Sequence, residues 1–454
     1  MQKLHAKRAL TPNGWLKDVV IQIDAGRVRS IEVGQDATGE TRVDTLLPSV
    51  GNLHSHTFQR AMAGMTEVRA AGQDSFWTWR TLMYRFMDRI TPEQYEAIAA
   101  LVFMEMFEAG YASVGEFHYV HHTPGGAPYD RLSELSDRVF AAAHVTGIGL
   151  THLPVLYSYG GAAKADLSQG QRRFGNTVPM FANLVEQTRD TAAQHMPSDT
   201  RVGIAPHSLR ATCPEDLNEV LALKNADPVH IHIAEQPKEV ADIQNWLGAR
   251  PVAWLLDNVE VDAQWCLIHA THMTPQETID MARSGVVAGL CPITEANLGD
   301  GPFNGPTYLA AGGAFGVGSD SNVRISLTEE LRTLEYSQRL RDLVRNVMVP
   351  KAGSVGSALY LGAAKGGAQA LGRDAGRIEP GALADLVAID SEAPALCALS
   401  DDQLLDGLCF AASDDVVTDV WSAGRHCVQN GRHVRREGII QDYKRVIKTL
   451  LSDI

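Results

Sequence analysis

Eight near-continuous apolar runs, separated by helical stretches, restrict this chain more than any other feature of its sequence. The first ends at His56. The others span Tyr111 to Tyr119, Ile148 to Tyr157, Val202 to His207, Val229 to Glu235, Cys266 to His269, Val286 to Cys291 and Phe315 to Asp320. A strand exposed on one side alternates apolar and polar residues, whereas a strand buried on both sides reads as an unbroken apolar run. Helical spacing fits Pro92 to Ala109, Pro214 to Lys224 and Pro275 to Ser284, each opening on Thr-Pro or Cys-Pro as a helix start does. Strand and helix in alternation predict a parallel (β/α)8 TIM-like barrel of the α/β class, with a doubly wound open sheet as the alternative. Polar residues gather at the C-terminal ends of the runs, the end at which such barrels carry their active sites.

The two ends of the chain read differently. Val19, Ile21 and Ile23 face one way, Asp24-Ala25-Gly26 turns, and Val28 to Val33 returns as a hairpin. Near the other end Ala384 to Ile389, Val416 to Trp421 and His426 to Val428 read as short strands. These predict a small β-sandwich domain built from residues 1–48 and 376–435, interrupted by the barrel at 49–375 and followed by a C-terminal helix at 436–454.

A formal charge of −14 disfavours nucleic acid and anionic membranes as partners, while leaving room for a small anionic substrate held by local arginines. The six cysteines are scattered without a C-x-x-C pair, which predicts reduced thiols in a cytoplasm. The N-terminus lacks the apolar segment of a signal peptide, and no apolar run is long enough to cross a bilayer.

His54 and His56 stand two apart at the end of the first run, so both imidazoles can reach one point on one face of a strand. Alone, such a pair is weak evidence for a metal; the case depends on further ligands downstream. His232 ends another run and is the expected third ligand, with Glu235 three residues on, where a carboxylate beside a metal-bound water can shuttle protons. His230 shares the parity of His232 but sits deeper, as a core histidine would. His269 ends the next run and is expected to hydrogen-bond substrate or water, with His272 a bystander in the loop. Asp320 ends the eighth run, where it can bind the metal and accept a proton from its water. His118, His121 and His122 read as loop histidines, since no carboxylate succeeds them at ligand spacing.

His54-x-His56, His232-x-x-Glu235, His269 and Asp320, on eight runs with a split β domain, resemble the amidohydrolase superfamily. No lysine ends the third or fourth run to bridge two metals, so the resemblance is to the mononuclear deaminase branch, which implies three histidines and one aspartate around one divalent ion, zinc above others. Longer blocks narrow it. Asn52 to Met62, Asp74 to Arg80, Glu116 to His122, His207 to Arg210 and Thr294 to Gly301 resemble the N-formimino-L-glutamate deiminase family of histidine degradation, although Thr57 stands where members often have alanine. That resemblance implies a substrate pocket lined by Gln59, Arg80, Tyr119, His207 and Arg210, hydrolysis of a linear amidine with release of ammonia, and a homodimer. Guanidinium forks suit a substrate with two carboxylates, which is the physical reason to place Arg80 and Arg210 there. Trp77 and Trp79 read as helix packing. Two rivals stand beside this reading: deamination of a purine or related heterocycle by the same metal site, and a non-catalytic barrel used as a binding module.

Overall fold

The computed structural model describes residues 1–34, 41–68 and 76–452, apart from the side chains of residues 76–78. Asp74, Ser75 and the side chain of Trp77, all within one of the family-like blocks, lie outside the described residues.

The eight runs form strands that stop within a residue or a few of the expected ends. They are β5 (Val50–Ser55), β6 (Tyr111–His118), β7 (Gly149–Leu156), the short β8 (Arg201–Val202) and β9 (Ala205–Pro206), β10 (Val229–Ile233), β11 (Trp265–His269), β12 (Val287–Leu290) and β13 (Ala314–Val317). All neighbours pair in parallel, in two arcs: β5-β6-β7-β8 with β9 on β7, and β10-β11-β12-β13. Every residue of β5, β6, β7, β10, β11 and β12 is buried, as the unbroken apolar runs require. Isolated parallel bridges join the arcs on both sides, Ile204 to Val229 and Ser208 to His232 on one, Ser55 to Asp320 on the other. Helix starts match the sequence: Thr91 and Thr274 each close a capping box ahead of a proline, and Cys213 Sγ accepts from Asp216 N at 3.4 Å.

Strands from both termini do share one sheet, in the order β17-β16-β15-β14-β4-β1-β2-β3. Here β1 is Gln2–Thr11, β2 Gly14–Asp24, β3 Arg27–Val33, β4 Thr41–Pro48, β14 Leu386–Ile389, β15 Val417–Ser422, β16 Arg425–Gln429 and β17 Arg432–His433. The expected sandwich is thereby corrected: the two terminal contributions meet edge to edge, through antiparallel pairing of β4 with β14, in one eight-stranded sheet. Sequence reasoning missed β1, whose mixed burial hides its alternation; it pairs parallel to β4 and antiparallel to β2. Among the described residues no helix is long and apolar enough to cross a membrane.

Asp199, ahead of β8, is held by two arginines from beyond β13. Arg425 reaches its carboxylate at 2.8 Å through both terminal nitrogens, and Arg373, which also pairs with Asp385, reaches it at 3.1 Å. Burial alone would raise the Asp199 carboxyl, but the Arg425 hydrogen bonds and the two guanidinium charges outweigh it and bring it down to about 2. A depressed native pKa adds stability that is complete above the unfolded value of about 3.9 and disappears as pH falls through 2. Asp199→Asn is expected to cost about 3 kcal/mol, read from the denaturant midpoint at pH 7, with the gap to the parent closing between pH 4 and 2. A midpoint unchanged at pH 7 would show that the pairs contribute nothing.

Candidate active site

Three strand ends turn their functional side chains inward through unusual backbone. Ala234, His269, Ala270 and Asp320 all have positive φ, between 47° and 67°, a left-handed conformation costing roughly 1 kcal/mol or more for residues with a Cβ. Its concentration where β10, β11 and β13 end is what aims Glu235, His269 and Asp320. Asp320 is clamped on both sides by the first strand, donating from N to His54 O and accepting from His56 N, each at 2.9 Å. Gly318 permits that approach, because a Cβ there would lie 2.7 Å from the backbone N and O of His54.

The β5–β6 ladder shifts register between Asn52 and Ser55, yet His54 and His56 still face one point, with ring centroids 4.6 Å apart. Ring nitrogens of His54, His56 and His232 lie within 4.8 Å of one another, and all three residues are buried. His232 Nε2 is 3.1 Å from His54 Nε2; Asp320 Oδ1 is 3.3 Å from His56 Nε2 and 3.5 Å from His54 Nε2. His56 Nδ1 donates to Phe117 O at 2.9 Å and His232 Nδ1 to His207 O at 3.1 Å, which leaves each Nε2 as an acceptor. Burial pushes the His54 imidazole down to about 3 and lowers His56 and His232 as well. Unprotonated nitrogens facing one another beside a carboxylate repel unless a cation stands among them, and this donor set suits a divalent metal.

His269 sits on the rim with carboxylates on both sides. Its Nδ1 is 3.3 Å from Glu295 Oε1, and its Nε2 faces Asp320 Oδ2 at 3.8 Å and Glu235 Oε1 at 4.0 Å. Burial alone would lower this imidazole, but the Glu295 hydrogen bond and the charges of Glu235, Asp320 and Glu295 raise it to about 10, so the ring is cationic. Burial would likewise raise the Asp320 carboxyl; the His54 hydrogen bond and the surrounding imidazoles hold it below the usual carboxylate range. Glu235 is fixed by its backbone N–H to Glu239 Oε2 at 3.0 Å, and Arg210 Nη2 lies 3.5 Å from Glu235 Oε2.

These groups open into a shared cavity at the strand ends. Gln59, Arg80, Tyr119, His207 and Arg210, the residues implied by resemblance, all line it. Gln59 Nε2 donates to the Tyr119 hydroxyl at 2.8 Å, and Arg80 Nη2 to the Tyr157 hydroxyl at 2.9 Å. Trp79 does pack against the core, as read from sequence, and it also lines this cavity; a helix position toward a cavity carries the same periodicity as one toward the core. Sequence reasoning missed Tyr84, Tyr157 and Phe174 in the wall and gave Glu295 no role, though it lies within the family-like block Thr294 to Gly301. Among the other histidines singled out in the sequence, His230 is a core histidine as expected, whereas His118 ends β6 instead of lying in a loop. His230 Nε2 bonds Ala370 O at 2.8 Å, while His118 meets Tyr95 and His121 and His122 meet separate backbone carbonyls.

Residues 45–427 match the amidohydrolase family, and residues 1–44 match the N-terminal domain of formimidoylglutamate deiminase HutF. Formimidoylglutamate deiminase of Pseudomonas aeruginosa is 49% identical over 458 residues, covering 100% of both chains. An amidohydrolase from Brucella melitensis superposes with a TM-score of 0.95 at 48% identity, covering 99% of this chain and 100% of that one. An adenosine deaminase from Xanthomonas campestris with bound zinc superposes at 0.81 with 22% identity, over 99% and 98% of the two chains, a likeness of fold alone. The fold is of the TIM-barrel type with an extra domain.

Proposed function

Because the chain belongs to the amidohydrolase family, in its formimidoylglutamate deiminase branch, we propose that this cavity hydrolyses N-formimino-L-glutamate to N-formyl-L-glutamate and ammonia in histidine degradation. The observation that carries the reading is one cavity in which a three-histidine, one-aspartate cation site faces two arginines. His54, His56, His232 and Asp320 would hold a divalent ion, zinc being the one the family resemblance implies, and that ion would supply Lewis-acid activation of water at neutral pH.

The chain's own groups do the rest. Asp320 takes a proton from the attacking water, and its charged state suits it to accept one. As the formimino carbon becomes tetrahedral, its displaced electron pair passes to the imino nitrogen, and His269 donates from Nε2 to the oxygen newly bonded to that carbon. Glu235 carries to the imino nitrogen, one after the other, the two protons that the water gives up; the C–N bond breaks as the C=O bond forms, and ammonia leaves. Arg80 and Arg210 hold carboxylates, and Gln59, Tyr119 and His207 shape the slot between them and the reacting carbon. The two arcs, bridged at both seams, read as a closed barrel over residues 49–375. Residues 1–48 and 376–435 form the small β domain, and 436–454 the terminal helix, whose described part is Arg436–Ser452. The same reading makes the protein a cytoplasmic homodimer; its six unpaired cysteines suit a reducing compartment.

The deciding experiment is ammonia release across a substrate panel, with metal content measured on the same preparation. Turnover of formiminoglutamate and none of nucleobases is expected; the reverse would place the chain with the heterocycle deaminases. Arg80→Met and Arg210→Met are each expected to lower kcat/KM for formiminoglutamate by roughly 30- to 1000-fold, the equivalent of about 2–4 kcal/mol. An amidine analogue without carboxylates should lose far less. Equal losses on both substrates would end the anchoring role.

A further inference from the structure

Behind His269, on the side turned away from the three clustered imidazoles, lies a second set of metal-ligating atoms. His269 Nδ1, Cys291 Sγ and a Glu295 carboxylate oxygen are all within 4.8 Å of one another, and all three residues are buried. Nδ1 to Glu295 Oε1 is 3.3 Å, the same separation as His56 Nε2 to Asp320 Oδ1 in the first site. Two ligands each about 2.0–2.1 Å from a tetrahedral zinc stand roughly 3.3–3.4 Å apart, so neither pair would need to open to admit one.

The surroundings favour a cation too. Burial first, and then the charges of Asp320, Glu295 and Glu330, raise the Cys291 thiol well above its ordinary range. Glu330 is completely buried, and its Oε1 has no hydrogen-bond partner among the described residues. A dication would offset the negative charges of Asp320 and Glu295 beside the thiol, while burial holds the Glu330 carboxyl well above the usual carboxylate range. Sulfur with imidazole and carboxylate selects zinc or cadmium over magnesium or calcium. The way in is the substrate cavity, which His269 and Thr294 line.

We propose that His269, Cys291 and Glu295 form a second, inhibitory site for a thiophilic divalent cation, filled when that cation exceeds the requirement of the first site. Binding exchanges two protons for one ion: the thiol proton and the Nδ1 proton both leave to solvent. Glu295, whose Oε1 also accepts from Cys291 N at 2.9 Å, is drawn from its bond with His269 into coordination, and His269, held through Nδ1 by the ion, no longer serves as a donor beside Glu235 and Asp320. Turnover then falls. Inhibition rests on the role given to His269 under the proposed function; binding does not.

The test starts from protein holding a single metal equivalent and adds Cd²⁺ or Zn²⁺ by equilibrium dialysis. Bound metal, the ultraviolet thiolate-to-cadmium band and ammonia release are measured together. A second equivalent, a thiolate band and a loss of turnover of at least about tenfold are expected in the parent chain. Cys291→Ala should keep its basal turnover, bind no second equivalent, show no band and escape inhibition over the same range. Cys291→Ser, closer in volume, serves if the alanine variant folds poorly, and Cys266→Ala, a neighbouring buried thiol, should behave as the parent. The site is overturned if the parent binds no second equivalent, if the Cys291 variants keep the band, or if Cys266→Ala loses it. A second equivalent and a band with undiminished turnover overturn its inhibitory character.

Discussion

Asp320→Asn is expected to lower kcat on formiminoglutamate by about 10³- to 10⁴-fold, the upper range for removing a positioned proton acceptor. Asparagine keeps the size of the side chain, and the main-chain clamp to His54 and His56 does not use the carboxylate. What disappears is the charge that lies 3.3 Å from His56 Nε2 and 3.5 Å from His54 Nε2, and with it the capacity to accept a proton. Because the same carboxylate helps hold the cation, bound metal must be measured alongside turnover, in the presence of enough added zinc to fill the first site. Activity within tenfold of the parent in metal-filled Asp320→Asn protein would remove Asp320 from the chemistry, whatever its part in binding the ion.

Glu235→Gln should cost about 10²- to 10⁴-fold in kcat with the metal retained and KM changed much less. Glu235 is distinct from Asp320 in that it lies outside the three-imidazole cluster, so its loss separates proton delivery from metal binding. Its position is fixed from the main chain, through Glu239, and by the left-handed turn at Ala234 just before it. Glutamine fits that frame and still meets Arg210, so the fold is expected to survive, as an unchanged thermal midpoint would verify. The combination that would sink the assignment is full metal, an intact fold and near-parental kcat. A rise in KM alone would instead make Glu235 a binding residue.

The wall of the cavity was harder to read than its floor. Metal-ligating histidines advertise themselves, because two imidazoles on a buried strand need a reason to be there. Tyr157 and Phe174 carry no such mark: aromatic residues are ordinary in a core, and both are buried. Glu295 was visible within its block, on the helix Pro292–Leu298, but its partner His269 is 26 positions earlier at the end of β11, and only the 3.3 Å contact assigns it. That both termini build one β domain was legible, but their edge-to-edge pairing into one sheet escaped for a related reason. Alternation within a strand says which face is buried and is silent on which edge pairs with β4.

By itself the sequence determined where the eight apolar runs and the helices opening on Thr-Pro or Cys-Pro lie, and that imidazole and carboxylate groups recur at the ends of those runs. Those properties are local, set by side-chain alternation, capping and the full burial of apolar runs. The tertiary structure alone decided that His54, His232 and Asp320 converge, that Trp79 faces a cavity, and that His269 has an acid on either side. Each of these is a meeting of residues far apart along the chain. Such meetings depend on how strand edges pair and how backbone turns at the rim, and no periodicity records either.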